Sequence, residues 1–369
     1  MFRPFQVLSF LVSCLLAFSS CDGGGSGPVD TFDRTLLLQN MADNLIRPAY
    51  NDLLNRNKSL HDAALLFVEA PDSARLVSLQ SAWKSACSDW QFANAYNFGP
   101  AGEEGLQKGL IEEIGTFPAS VSKIEAAITS GVWNMSDFNR DARGFLAVEY
   151  LIFGSANSTS AIVSKFAAEA QRRNYLTAVT ANLRDRSQAV VDAWNGAYYT
   201  EFLQNKGTDA GSSTSHLYNE FVRSFEAAKN FKLGLPLGKR PGQTQSEPQL
   251  VEAYYSGHSL EFLRLHLTAI ENIWYGKSKT GQDGTGFREY LEKVEGGSAL
   301  IASTETQLAA LHAALAAVPD SPALSEQITA GSTALENLYT EIQKLTRYLK
   351  SDLSSLLGIA ITFSSGDGD

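Results

Sequence analysis

The chain has 369 residues, 44% of them hydrophobic and 19% charged, with a formal charge of −10. That composition excludes a chain disordered along its length, and the length calls for two domains or one elongated helical body. An acidic balance of this size disfavours nucleic acid and anionic lipid headgroups as partners.

The chain opens with Arg3 and an apolar run from Phe5 to Phe18, too short to span a bilayer, followed by Ala17-Phe18-Ser19-Ser20-Cys21. This resembles the lipobox of bacterial lipoproteins, which implies that residues 1–20 are a signal peptide and that Cys21 carries lipid. More than one acyl chain on Cys21 makes a stable membrane anchor. The location implied is the bacterial cell envelope, at the outer membrane facing the periplasm. Cys14 leaves with the leader, so Cys87 is the remaining thiol, and neither an intramolecular disulfide nor a Cys-based zinc site is available. Residues 21–30, rich in Gly, read as a flexible tether.

Residues 31–205 read as a first helical bundle. Leu36, Leu37, Asn40, Met41, Asn44, Leu45 and Tyr50 keep helical spacing, with Asp30 or Thr31 as N-cap and Pro48 as a kink position. Ser59 is placed to cap a second segment through Phe67, and Asp72 or Ser73 a third that runs to about Tyr96. The third carries Leu76, Leu79, Trp83, Cys87, Trp90 and Tyr96 and stops at Asn97-Phe98-Gly99-Pro100. Aromatics at this spacing read first as core. Gly99 to Ile114 reads as a surface loop with a short helix, its Glu103, Glu104, Glu112 and Glu113 forming a solvated face. Further helices are expected at Val121–Ser130, Ala142–Phe153 and Ser160–Phe202.

The segment from Ala142 to Gly154 is apolar all round, through Phe145, Leu146, Val148, Leu151, Ile152 and Phe153, the pattern of a helix enclosed by neighbours. Glu149 sits in its middle. Burying an ionised carboxylate alone costs several kcal/mol or raises its pKa, so Glu149 must be paired, protonated or bound to a cation.

Residues 206–215, rich in Gly, Ser and Thr, mark the boundary, and 206–369 read as a second bundle. Its helices are expected at His216–Lys229, Gln249–Tyr275, Phe287–Glu295, Ser298–Ala317 and Ser321–Leu357. Residues 358–363 alternate apolar with small residues and suit an extended segment, and the acidic end 366–369 reads as a solvated tail. Strand signals are otherwise nearly absent, so the fold class is all-α, two helical bundles packed side by side. Residues 147–154 share a pattern with 269–276, Ala, aliphatic, Glu, then aromatic and Gly at a helix end, which suggests internal duplication and a cleft between the halves.

Ser256-Gly257-His258-Ser259-Leu260-Glu261 is a second candidate site. On a helix, His258 and Glu261 share one face, as neighbouring metal ligands require, and Glu149 supplies a third donor for iron, zinc or calcium. The plainer reading is an exposed ion pair. His266, about 80° round from His258, stays outside this set unless the helix bends. His61, His216 and His312 read as surface residues. Neither H-E-x-x-H, G-x-S-x-G nor a phosphate loop occurs, and Asp283-Gly284-Thr285-Gly286 reads as a connector.

Gly144 and Glu149, followed by an apolar run and a Gly, resemble the G-x-H-x-x-E signature of the imelysin family, with Leu146 at the His position. The Trp-bearing helix ending in Phe98-Gly99-Pro100 and the Ser256/Ser259 pair are similar to further parts of that family's pattern, over residues 31–363. The resemblance implies an envelope protein linked to iron acquisition, in a family classed with peptidases. With Leu146 in place of the His, it implies no assigned catalytic residue. The reading it favours is a non-catalytic, lipid-anchored binding protein associated with uptake of iron or another metal or ligand, with envelope iron-uptake proteins as partners. Gly144, Glu149, Trp90, Phe98, Ser256 and Ser259 are then its ligand-contacting candidates. A metallopeptidase using Glu149 with a relocated His258, and a structural or protein-interaction module, are the alternatives.

Overall fold

The computed structural model describes residues 32–102 and 109–363. Cys21, the tether, Glu103, Glu104 and the acidic tail lie outside the described residues. Among the described residues sixteen α-helices follow in order: α1 (Arg34–Asn40), α2 (Arg47–Glu69), α3 (Ser73–Ala93), α4 (Leu110–Ile114), α5 (Val121–Ser130), α6 (Phe145–Glu149), α7 (Thr159–Ala168), α8 (Ala170–Asn195), α9 (Ala197–Gln204), α10 (Ser213–Ala227), α11 (Ser259–Tyr275), α12 (Phe287–Leu291), α13 (Gly297–Ala316), α14 (Leu324–Thr329), α15 (Thr333–Thr346) and α16 (Leu353–Leu357). No strand occurs among the described residues, and the fold is all-α.

Helix α2 packs along both α3 and α8, and α13 pairs with α15. Helix α11 lies against α3, and α10 against the turn Asn94–Tyr96 that ends α3, so elements before and after residue 206 share contacts. One continuous apolar cluster runs from Leu37 to Ile359.

Local chemistry sets the ends. Asp72 caps α3, its Oδ1 accepting the Arg75 amide at 2.8 Å. Ser59, expected as a cap, sits inside α2 with its hydroxyl returned to the Asn55 carbonyl at 3.1 Å. Pro48 stands at the second position of α2, directly after a π-helical turn at Met41–Ile46, within helical backbone that continues from α1.

Three long helices expected from periodicity are divided. Residues 160–202 break after Ala168 and at Gly196; 321–357 break near Gly331 and in a π-helical turn at Arg347–Asp352. The segment expected as one helix from Gln249 becomes helical only at Ser259, because the chain before it turns tightly through Gly257 (φ +76°). Each break keeps the apolar phase of its neighbours, so spacing alone does not reveal it. Residues 359–363 form no strand. Asn219 of α10 holds them, donating to the Ala360 carbonyl at 3.1 Å and accepting from the Thr362 amide at 2.7 Å.

Candidate functional site

Helix α6 is placed by its first residues. Gly144 has φ +83°, and a Cβ there would meet the Ile114 carbonyl oxygen at 2.3 Å, so the start of α6 presses against the end of α4. The Trp83 indole of α3 donates to the Phe145 carbonyl at 2.9 Å, and the Phe145 ring lies 5.9 Å from that of Trp90. These contacts fix α6 against α3 and leave Glu149 facing the turn before α11.

Glu149 is 2% exposed, and its Oε1 accepts the Ser256 amide at 2.8 Å. Burial pushes its carboxyl up to about 7; the Ser256 and Tyr255 amides pull it back, and Glu252 raises it further. Among the described residues no cation pairs with it through a salt bridge; it is held by backbone donors and spends part of the neutral range protonated. The covering turn is tied down in two places. Ser259 Oγ accepts the Ala253 amide at 3.2 Å, and the Tyr255 ring lies 5.7 Å from that of Tyr150 and over Gly154, where a Cβ would meet it at 2.4 Å. Gly154 therefore makes room for Tyr255 within a π-helical turn, whereas Gly276, its counterpart in the sequence repeat, closes α11 with φ +62°. The two glycines do different work.

His258 and Glu261 contact one another at 3.2 Å, and Lys84 Nζ also reaches the Glu261 carboxylate at 2.9 Å. Burial and the Lys84 charge lower the His258 pKa. Lys84 stands where a cation would have to join them. Among the described residues no group of three or more His, Cys, Asp or Glu is gathered as metal ligands, so Glu149, His258 and Glu261 do not assemble into the set drawn from spacing. Phe98 lies elsewhere, stacked on Phe202 at 5.8 Å and edge-on to Trp194 at 6.3 Å, a core position.

Trp90 does line a cavity, of about 520 Å³, enclosed by α3 and α4 on one side and by α10, the π-helical turn Ala228–Gly234 and α11 on the other. On its wall Lys232 Nζ pairs with Glu252 at 2.8 Å and with Gln91 Oε1, while burial lowers the lysine's pKa. His266 Nε2 lies 2.6 Å from Ser224 Oγ, and burial drives its pKa well below the ordinary value, so the ring is neutral. A small void next to the cavity is bounded by Cys87, Leu146 and Phe262 and shares Trp90, Gly115 and Glu252 with it. Leu146, at the motif's His position, thus puts an apolar side chain beside Glu252, where an imidazole would have supplied a ligand or a proton carrier.

Lys232, Glu252, Gln91 and His266 were not among the residues singled out by spacing. His266 had a signal: it falls on the stripe of Phe262, Leu263 and Ile270, which a buried face would include. Glu252, between Val251 and Ala253, had a weaker one, and Lys232 none. Two readings of polar residues are corrected. Glu113 is buried and pairs with the buried Arg143 at 3.0 Å, so it is no solvated face. His61 is buried too, with Nδ1 3.0 Å from Thr180 Oγ1.

The imelysin family model matches residues 46–349. Iron-regulated protein A of Synechococcus elongatus is 23% identical over 350 residues, covering 92% of this chain and 90% of the relative. Among solved structures, an iron-regulated protein A precursor from Parabacteroides distasonis superposes with a TM-score of 0.72 at 16% identity, covering 90% of this chain and 97% of that one. An imelysin-like protein from Psychrobacter arcticum gives 0.70 at 19% identity, over 89% and 97%. Among the described residues no helix is long and apolar enough to cross a membrane.

Proposed function

Because the chain belongs to the imelysin family, we propose that it is a lipid-anchored binding protein of the bacterial envelope that serves iron uptake by holding a ligand, uncleaved, in the cavity between α3 and α10. The observation that carries this reading is the cavity itself. At about 520 Å³ it has the volume of a small-molecule site, and its walls come from segments more than a hundred residues apart. Glu149 and Ser256 form a hydrogen-bonded clasp near it, which fixes the turn carrying Glu252. The leader ending at Cys21 supports anchoring, and the name of the Synechococcus relative supports the link to iron.

In cells lacking the protein, uptake of radiolabelled iron under iron limitation should fall, and the wild-type chain should restore it. A Cys21→Ser chain should lose palmitate label and be released from the membrane fraction. Uptake unchanged by loss of the protein would remove the iron role.

One observation favours a peptidase reading instead: a carboxyl titrating at about 7 suits a general base. That chemistry needs a metal or a nucleophile beside it, and neither a three-ligand set nor a catalytic His at position 146 is present among the described residues. Metal titration of wild type, Glu149→Gln and His258→Ala separates the readings. Zinc or iron binding lost in both variants, together with metal-dependent peptide cleavage by wild type, would establish the peptidase.

A further inference from the structure

Phe363 lines the cavity, yet it belongs to no helix and keeps part of its surface in solvent. It stands at the rim with Phe231, which is half-exposed. Each ring lies under a guanidinium, Phe363 under Arg223 at 5.1 Å and Phe231 under Arg240 at 5.2 Å. The two differ in how their backbone is held. Phe231 sits in the π-helical turn Ala228–Gly234, inside a ladder of helical hydrogen bonds. Phe363 ends a strap of residues 360–363, and among the described residues no backbone-to-backbone hydrogen bond joins that strap to the body.

The strap has a fixed root. Gly358 closes α16 with φ +63°, and the buried Ile359 exchanges two hydrogen bonds with Ser354, its amide donating to the Ser354 carbonyl at 3.2 Å and its carbonyl accepting the Ser354 hydroxyl at 2.8 Å. Beyond Ile359 the chain leaves the core: Ala360 and Thr362 are exposed, Ile361 and Phe363 half-buried. One side chain of α10 holds this part. Asn219 Nδ2 donates to the Ala360 carbonyl at 3.1 Å, and its Oδ1 accepts the Thr362 amide at 2.7 Å. Asn219 Nδ2 also donates to the Ser215 carbonyl at 2.9 Å, and Arg223 is held by Glu220 at 2.7 Å, so both seats stay formed with the strap away. Two hydrogen bonds, one cation–π contact and two half-buried side chains stand against the conformational freedom of the strap, a balance from which a segment opens locally while the body stays folded.

We propose that residues 360–363 are the gate of the cavity: the strap turns about Ile359, carries Phe363 off the rim to admit or release the ligand, and is held shut by Asn219. The proposal rests on the cavity being the ligand site and adds how that site is closed. Asn219 is a positioning residue, since it acts through Phe363 and is not itself on the cavity wall.

A thiol placed on the cavity wall reads the gate. Ser224 lines the cavity and is 5% exposed, so the full chain carrying Ser224→Cys is treated with N-ethylmaleimide in detergent, and the adducts are located by peptide mass spectrometry. Cys87, buried in the core, is the control, because its alkylation reports opening of the whole fold. Asn219→Ala should speed alkylation at position 224 about tenfold, the factor expected for the net loss of the strap's hydrogen bonds, and leave Cys87 unchanged. Thr362→Pro, which removes the strap's amide donor and touches no helix, should do the same. Phe363→Ala should be at least as fast as either, and adding Asn219→Ala to it should change nothing further, because the ring that Asn219 holds is gone. Unchanged rates in Asn219→Ala and Thr362→Pro, a parallel rise at Cys87, or a further tenfold rise when Asn219→Ala is added to Phe363→Ala would overturn the gate. Iron uptake reads the proposed function separately. Uptake that depends on the cavity, with alkylation indifferent to the strap, would sink the gate alone, and a working gate without any uptake role would sink the iron role alone.

Discussion

Glu149 couples proton binding to folding. Its carboxyl titrates at about 7 in the folded chain against an ordinary value of 4.5, because burial disfavours the anion. The folded state therefore binds more protons than the unfolded chain between those values, and stability falls as pH rises through that window. The contribution is fully present below 4.5 and lost above about 7, a change of about 3 kcal/mol. Glu149→Gln keeps an oxygen for the Ser256 amide and has no charge to bury. Urea denaturation at about pH 5 and about pH 8 should show the wild type losing more stability than the variant between the two. Identical pH slopes in both would mean that Glu149 is ionised and solvated.

At the same scale, Arg143 and Glu113 form a pair in which both side chains are almost wholly buried, with Arg140 and Arg186 at 3.5 Å from the same carboxylate. Removing one partner strands the other charge. Glu113→Ala should cost about 3–5 kcal/mol in chemical denaturation, whereas replacing both by apolar residues of similar volume should recover most of that. The sequence marked Glu149 as a carboxylate needing explanation because apolar residues surround it on every side. Glu113 lay in a Gly-rich stretch with a second Glu beside it, a context that reads as solvent, and its burial comes from arginines distant in sequence.

Among the elements, α6 depends on a backbone position that no side chain can occupy. Gly144→Ala would place its Cβ 2.3 Å from the Ile114 carbonyl at φ +83°. The cost should be about 2 kcal/mol or more, with weakened packing of α6 on α3 and faster hydrogen exchange in Phe145–Glu149. Full stability in the variant would show that α6 can shift without loss. The helices were legible where an apolar stripe and a cap coincided, as in α3 with Asp72. They were not legible where the chain breaks in phase. The turn at 251–257 is the case that matters most, since reading it as helix put His258 and Glu261 on a helix face as metal ligands. In the fold His258 stands at the boundary of α11, and Lys84, from a helix that no local pattern connects to it, takes up Glu261.

Across the whole molecule, the cavity exists because α3 and α4 meet α10 and α11, and no single stretch of sequence contains it. Its charged residues pair with groups far off in the sequence, as Glu226 does with Lys350 across 124 positions. The apolar surroundings of Glu149 brought it forward, and the family resemblance added Trp90, from the cavity wall, and Ser256, which with Glu149 forms the clasp near it. Nothing in the sequence brought forward Lys232, whose role arises from tertiary contact. The family's fold and the protein's link to it were legible because Gly144, Glu149 and the Phe98-Gly99-Pro100 stop lie within short motifs.

The most direct test is to fill the cavity and measure radiolabelled iron uptake under iron limitation. Ala227 lies on the cavity wall and is partly exposed, so Ala227→Trp adds bulk to the site without entering the continuous core. Cells carrying that chain, folded and at wild-type abundance, should take up no more iron than cells without the protein. Uptake at the wild-type level with the cavity filled would contradict the account.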